Sequence, residues 1–379
     1  MTERALRLAW RAIAMTALCS PDAAAQALPR TEPAGMHVHP ISLTLDRAAP
    51  PGTLTLLPPD TVLGFDPDPQ RGHGRIHLTC RSASDAAHGR CATADTAQAG
   101  AGTTDIVLRL VEQRSGQAAE ITLSGSLRRV FADPRCPPQG GAGMQQPLTT
   151  ASGTLCAGAP PTGTTATLAL AAAGVSSLMP GQWQGELVLD LRNDPQGAPV
   201  ATHAWPVALV VTDRDAAAIH FPGRDTATPQ VRLAVRHDPL TGTLAGTTDL
   251  DMCLYDGLGA PGGALGLTVR DTSARSAGRS GFSLWHGGGG TDAAHRLDYT
   301  ITLDYGGARL PMDNGAEHTL RGIDAARLRP VLLPGMRQPV HCVPAPLRLS
   351  TVAAPSSGKR AGAYSGDLRI EMRLPAVRP

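Results

Sequence analysis

Apolar residues in this chain alternate with polar ones in short runs. Val107, Ala118 and Ile121 to Leu123 sit in such runs, as a strand with one solvated face requires. The same period predicts strands in the first half over residues 41–45, 53–57, 75–80, 104–112, 120–131, 165–170, 186–191 and 205–211. In the second half it predicts them over 231–236, 249–254, 265–270, 281–285, 297–305, 327–333, 340–349 and 368–374. Residues 171–180 break the alternation with an alanine-rich stretch ended by Pro180 and Gly181, which reads as a helical turn. The pattern is that of an all-β chain of packed sandwiches.

One phrase, Gly-x-aromatic-x-Gly-x-Leu-x-apolar, occurs twice. The first copy runs from Gly181 through Trp183, Gly185 and Leu187 to Leu189, and a turn at residues 192–197 leads on to the strand at 205–211. The second runs from Gly362 through Tyr364, Gly366 and Leu368 to Ile370; Met372 and Leu374 complete its alternation, and only residues 375–379 follow. Two similar modules are therefore expected, the second short of its last strand. The charged stretch Thr212-Asp213-Arg214-Asp215 marks the junction, giving modules over 28–213 and 214–379. A sandwich lacking a strand leaves an open groove with unpaired backbone, unless strand order differs and nothing is missing.

Length and composition narrow the class. The 379 residues suit two modules, and 42 glycines and 33 prolines interrupt the chain too often for long helices. Arg4, Arg7 and Arg11 precede a short apolar run from Ala12 to Leu18, and Ala23-Ala24-Ala25-Gln26-Ala27 offers small-residue cleavage sites, so residues 1–27 read as a secretory signal peptide. No later stretch approaches the roughly 18 apolar residues that span a bilayer, so no membrane insertion is expected. With 34 basic and 32 acidic residues dispersed along the chain, no footprint for nucleic acid is expected either.

Of seven cysteines, Cys19 leaves with the signal; the remaining six suit disulfides in an exported chain, with about 15 possible connectivities. Nearness in sequence favours Cys80 with Cys91 and Cys136 with Cys156, which leaves Cys253 with Cys342. A zinc site is disfavoured, because there is no CxxC spacing and His88 and His341 form no ligand pattern.

Residues for catalysis are sparse. No Gly-x-Ser-x-Gly elbow is present, and the Gly287–Gly290 run lacks the Lys-Ser or Lys-Thr of a phosphate loop. His37-Val38-His39 puts two imidazoles on one face without a third ligand and reads as a polar stretch; Asp249 and Asp251 alternate on a predicted strand and read as a solvated face. No enzyme activity, metal or cofactor is expected.

Several segments resemble class 5 fimbrial tip adhesins, the alternate chaperone–usher pili that include the minor tip pilin of cable pili. In the second half they are Asp251-Met252-Cys253-Leu254-Tyr255-Asp256-Gly257, residues 299–307, Asn314-Gly315, residues 340–344 and residues 361–366. The first half joins through residues 75–80, Cys91, Glu112-Gln113-Arg114, residues 131–136, Cys156 and residues 178–191, while 28–69 match poorly. The resemblance implies an immunoglobulin-like adhesin domain followed by an incomplete pilin domain. It implies a donor strand given first by a periplasmic chaperone, then by the major pilin at the outer-membrane usher. The cysteine pairing above agrees with the family's pattern. The family's receptor arginines fall on Arg75 and, in part, Arg192, which implies adhesion to a host glycan or glycoprotein receptor; Asn193 and Asp194 then stand where the family continues with basic residues, which weakens the case for an anionic sialoglycan.

Overall fold

The computed structural model describes residues 28–49, 52–133, 135–136, 145–153, 155–224, 226–257, 263–334, 336 and 339–374; the expected signal peptide lies outside them. The first ten strands are β1 (Gly35–Val38), β2 (Ile41–Asp46), β3 (Leu54–Phe65), β4 (His77–Cys80), β5 (Thr104–Glu112), β6 (Ala118–Val130), β7 (Gln146–Pro147), β8 (Gly163–Leu170), β9 (Gly181–Arg192) and β10 (Ala201–Thr212). A five-residue helix, α1 (Ala172–Ser176), occupies the predicted helical turn.

Seven of these strands make one hydrogen-bonded path, β1-β10-β9-β5-β6-β8-β3, and β2, β4 and β7 pair with β10, β9 and β6 off it. The path folds over on itself, since Leu63, Leu108, Leu123 and Leu168 from one end share a single core with Leu78, Leu187, Trp205 and Leu209 from the other. The alternation is the cause: in β5, Ile106, Leu108 and Leu110 point inward and are fully buried while their neighbours face out. β10 is the hub of one face. It pairs antiparallel with β9, and its two halves pair in parallel with β1 and β2.

Arg129 is buried in this module with no carboxylate bonded to it. Its guanidinium donates instead to the carbonyls of Ile76, Thr150 and Ser152, to the Gln146 amide oxygen and to the Thr164 hydroxyl. Burial pulls its pKa down to about 10, opposed by Asp95, so it stays charged and ties the segment 146–152, which starts with β7, to β8 and to Ile76 just before β4.

The second module contains β11 (Ala218–His220), β12 (Arg236–Asp238), β13 (Thr243–Ala245), β14 (Thr247–Leu250), β15 (Cys253–Tyr255), β16 (Ala264–Asp271), β17 (Phe282–His286) and β18 (Arg296–Tyr305). It continues with β19 (Ala308–Met312), β20 (Glu317–Arg321), β21 (Arg329–Val331), β22 (Val340–Pro344), β23 (Leu347–Thr351), β24 (Ala354–Pro355), β25 (Tyr364–Ser365) and β26 (Leu368–Arg373). One sheet runs β14-β23-β18-β17-β25 and faces a second, β20-β16-β26, across a core of Leu250, Leu267, Tyr299, Ile301, Leu303 and Leu347. A smaller cluster of Cys253, Tyr255, Leu333, Val340 and Cys342 lies beside it.

Three strand expectations need correction here. Residues 231–235 join no ladder among the described residues, although Val231, Leu233 and Val235 are half-buried and Arg232 and Ala234 exposed, as in a strand. The 249–254 run is broken at Asp251-Met252, where the chain passes from β14 to β15 in another sheet; 340–349 is likewise split between β22 and β23. Asp249 and Asp251 thus share no strand, and each forms an ion pair with a different arginine, Arg348 and Arg329.

The cysteines form three disulfides, Cys80–Cys91, Cys136–Cys156 and Cys253–Cys342, separated by 11, 20 and 89 positions. The modules touch as well. Arg114 donates to the carbonyls of Ile323 (2.6 Å) and Ala326 (3.3 Å), and the Asp213 amide bonds the Gly257 carbonyl at 3.2 Å.

Candidate functional site

The two copies of the repeated phrase fold differently. In the first, Trp183 is buried, its Nε1 donating to the Met179 carbonyl at 2.8 Å, and the phrase begins the unbroken strand β9. Gly185 is required there, because a Cβ would stand 2.6 Å from Leu110 Cδ2 and 2.9 Å from the Arg109 carbonyl. In the second copy, Tyr364 is half-buried, its hydroxyl donating to the carbonyls of Ala294 and Arg360, and the chain breaks at Gly366. β25 ends pairing with β17, and β26 starts afresh against β16 in the facing sheet. A Cβ at Gly366 would meet the Ser283 carbonyl at 2.9 Å, so both glycines serve close backbone approach.

Beside this second copy opens a groove of about 1390 Å³. Leu250, Leu284, Leu297, Tyr299 and Leu349 form its floor, Ile219 and Phe221 one end, and Leu368 and Ile370 of β26 a side. The opposite side is the stretch Pro229–Val235. Both sides present free backbone. β26 pairs with β16 along one edge and with no described strand along the other. On the facing side Thr248 Oγ1 holds the Ala234 N–H and the Arg232 carbonyl, and the Val235 N–H donates to the Leu233 carbonyl at 2.8 Å; Val231 makes no backbone bond to a described residue, and the Leu233 N–H makes none either. Exposed backbone of this sort beside an apolar floor is what strand addition uses.

At one end of the first module lie the two arginines expected from the sequence. Arg75 is not in a strand; it closes a 3-10 turn just before β4, and it is exposed with no ion pair to a described residue. Arg192 ends β9 opposite His77 of β4, which brings the two arginines to the same end of neighbouring strands. Arg192 is half-buried and engaged, donating to Thr79 Oγ1 at 3.3 Å and to the Gly197 carbonyl. Asn193 follows it with its carbonyl against Gly72.

The His37-Val38-His39 stretch does acquire a third imidazole. His203 of β10 stacks on His37 at 4.7 Å and on His39 at 5.4 Å, and His39 Nε2 meets His203 Nδ1 at 3.1 Å. Trp205 continues the stack at 5.1 Å from His39. No group of three or more His, Cys, Asp or Glu among the described residues is placed to hold a metal ion. The rings instead fasten β1 to β10. Among the described residues no helix is long and apolar enough to cross a membrane.

Glu112, named in the sequence only within a matched segment and given no role there, has its carboxylate buried against Gly181 at the start of β9. Burial pushes its pKa up, but hydrogen bonds from the Ser115 hydroxyl and the amides of Ser115, Gln182 and Arg114 outweigh it and hold the pKa low. That anchor orders the loop that aims Arg114 at the second module.

The family profile of the first domain of CfaE, a CFA/I fimbrial protein, matches residues 21–214, and that of the CfaE second domain matches residues 217–376. No curated protein sequence matches. The crystal structure of CfaE, the adhesive subunit of CFA/I fimbria of enterotoxigenic Escherichia coli, shares the fold with a TM-score of 0.75 at 22% identity, over 93% of this chain and 95% of that one. A chaperone–tip adhesin complex of CFA/I fimbriae biogenesis gives 0.70 at 22% identity over 93% and 99%. A single-residue mutant of the E. coli adhesin CfaE gives 0.69 at 23% identity over 92% and 94%. With both domain profiles accounting for both modules, the chain belongs to the CfaE family of class 5 chaperone–usher tip adhesins.

Proposed function

We propose that this chain is a minor fimbrial tip protein that starts pilus assembly by accepting a donor strand and carries adhesion at its other end. Residues 1–27 are the signal, 28–213 the adhesin domain and 214–379 the pilin domain. The observation that carries the reading is the groove flanked by two backbone edges, β26 and 229–235, neither paired across it. The first module supplies the template: aligning Leu187 with Leu368 and Leu189 with Ile370 puts the groove where β10 lies, between β9 and the pair β1 and β2. An incoming strand then runs antiparallel to β26, with alternate apolar side chains on the groove floor. A periplasmic chaperone provides that strand first and the major pilin's extension replaces it at the outer-membrane usher, after which the protein stands at the fimbrial tip on the cell surface.

The test uses the full chain. Produced without chaperone, its second module is expected to be cut by protease within the 229–235 and 364–374 segments, and an alternating Val/Thr peptide is expected to protect both. Equal resistance with and without peptide, in a monomeric chain, would sink the reading.

For adhesion, the exposed Arg75 is the anchor, since a guanidinium donates two hydrogen bonds to one carboxylate. Binding to host cells or to a glycan array is expected to fall about tenfold in Arg75→Ala, a loss typical of one charge-assisted contact. A second reading, a structural tip initiator with no receptor, is favoured by the internal engagement of Arg192. Absence of any cell or glycan binding by the peptide-completed protein decides for it.

A further inference from the structure

The charges around the groove are unequal. Among the described lining residues, Arg232, Lys359 and Arg360 are basic and Asp367 alone is acidic. Just outside the lining stand Arg224 and Arg236 on one side and Arg369 and Glu371 on the other. Several of these are already engaged. Lys359 Nζ donates to the carbonyls of Ala293 and Arg296, Arg224 donates to the Gln230 carbonyl, and Arg369 pairs with Glu371 at 2.9 Å. Further along β26, Arg373 pairs with Glu317. The β26 side is therefore neutralised within the chain.

The opposite side is not. Arg232 and Arg236 are exposed and form no ion pair with a described residue. Arg232 belongs to the alternating stretch whose Val231, Leu233 and Val235 turn toward the groove, so its guanidinium stands on the outward face beside any strand laid there. Arg236 follows four residues later, past a tight turn in which the Val235 N–H donates to the Leu233 carbonyl at 2.8 Å, and opens β12 just outside the lining. Arg360, exposed and also without an ion pair, adds a third positive charge at the rim.

From this we infer that the groove selects its strand by charge as well as by shape: the fitting donor carries acidic residues at its outward positions, on the side where Arg232 and Arg236 stand. The inference rests on the donor-strand reading above and adds the partner's chemistry to it. Apolar inward residues supply affinity but little discrimination, because one alternating Val/Thr segment fills the floor much as another does. Cross-strand pairs between opposite charges are favourable and like charges directly opposite are unfavourable, so an outward lysine is penalised where an outward glutamate is rewarded. Specificity then comes from rejecting the wrong strand as much as from holding the right one. The arginine fork suits this use, being able to take a neighbouring carboxylate with two bonds.

The experiment measures binding of three fluorescent peptides to the full chain. Each has about ten residues alternating valine with an outward residue, enough to span the groove sides. The outward residues are all threonine, or carry two glutamates four apart, or two lysines four apart. At low salt the glutamate peptide is expected to bind about tenfold more tightly than the lysine peptide, the size of two exposed cross-strand charge pairs. In about 0.5 M salt, where screening reaches only a few ångströms, the ratio is expected to shrink toward about twofold. Arg232→Glu with Arg236→Glu is expected to reverse the order, and Arg232→Gln with Arg236→Gln to abolish the preference without reversing it. Equal binding of all three peptides overturns the charge selection and leaves the groove reading standing. If none binds, the threonine peptide included, or if the chain instead forms a dimer that excludes all three, both fall.

Discussion

Arg129 has the most to lose from a single substitution. Its guanidinium bonds five residues, among them Ile76 just before β4, Thr164 of β8 and three in the 146–152 segment, and a methyl group in its place takes the donor from the buried carbonyls of Ile76 and Thr150 and the half-buried one of Ser152. Arg129→Ala is expected to lower stability by about 3–5 kcal/mol, and Arg129→Lys to recover only part, as chemical denaturation will measure. The histidine stack has a pH consequence. Burial first, then the charges of His37 and His39, lower the His203 pKa to about 4, and burial with His37 lowers that of His39. The carboxylate opposite Thr202, next to His203, is Asp190, and it is paired with Arg81. A folded-state pKa below the unfolded value of about 6.5 means the unfolded chain takes up protons first. Stability from this stack is full above about pH 6.5 and is lost as pH falls toward 4, on the order of 2 kcal/mol. The urea midpoint difference between wild type and His203→Phe should shrink across that range. From the sequence His37 and His39 were visible as a pair, but the third ring lies 164 positions from His39 and only the parallel pairing of β1 with β10 delivers it.

At the scale of elements, the 229–235 stretch has a strand's period and no strand's partner. Periodicity reports which face of a segment is buried, and this was legible; pairing depends on what lies alongside, which no local pattern encodes. The same limit explains the run at 249–254: its composition reads as continuous, yet Asp249 bonds Arg348 and Asp251 bonds Arg329, so the two halves are drawn to different neighbours. Arg75 also moved from a predicted strand into a turn, because Gly72 at φ 75° and Gly74 against the Pro161 carbonyl bend the chain before β4. The repeat was legible down to its two glycines. Hydrogen exchange offers a direct check on the groove's sides: amides of Val231, Leu233 and Ile370 are expected to exchange at least about 100-fold more slowly once a donor peptide is bound, with little change in β5. Gly185→Val, which drives a side chain into Leu110 and the Arg109 carbonyl, is expected to unfold the first module at physiological temperature while leaving peptide binding by the second detectable.

Across the whole molecule, a few polar contacts join two separate cores. Arg114, aimed by the buried Glu112, reaches the carbonyls of Ile323 and Ala326, and the Asp213 amide is strapped to Gly257, where a Cβ would strike the Asp213 carbonyl at 2.4 Å. Arg114→Ala is expected to separate the two modules' unfolding transitions in calorimetry without moving the later one. The disulfide between Cys253 and Cys342 bears on timing. Closing a loop of 89 positions removes unfolded-state freedom worth about 4–5 kcal/mol, and the bond sits in the side cluster with Tyr255 and Leu333, outside the residues that line the groove. Oxidation can thus be finished while the groove is still open. If the groove takes a donor strand as proposed, oxidation comes before donation: a chain held reduced is expected to present its two edges poorly to a partner, whereas an oxidised one can wait.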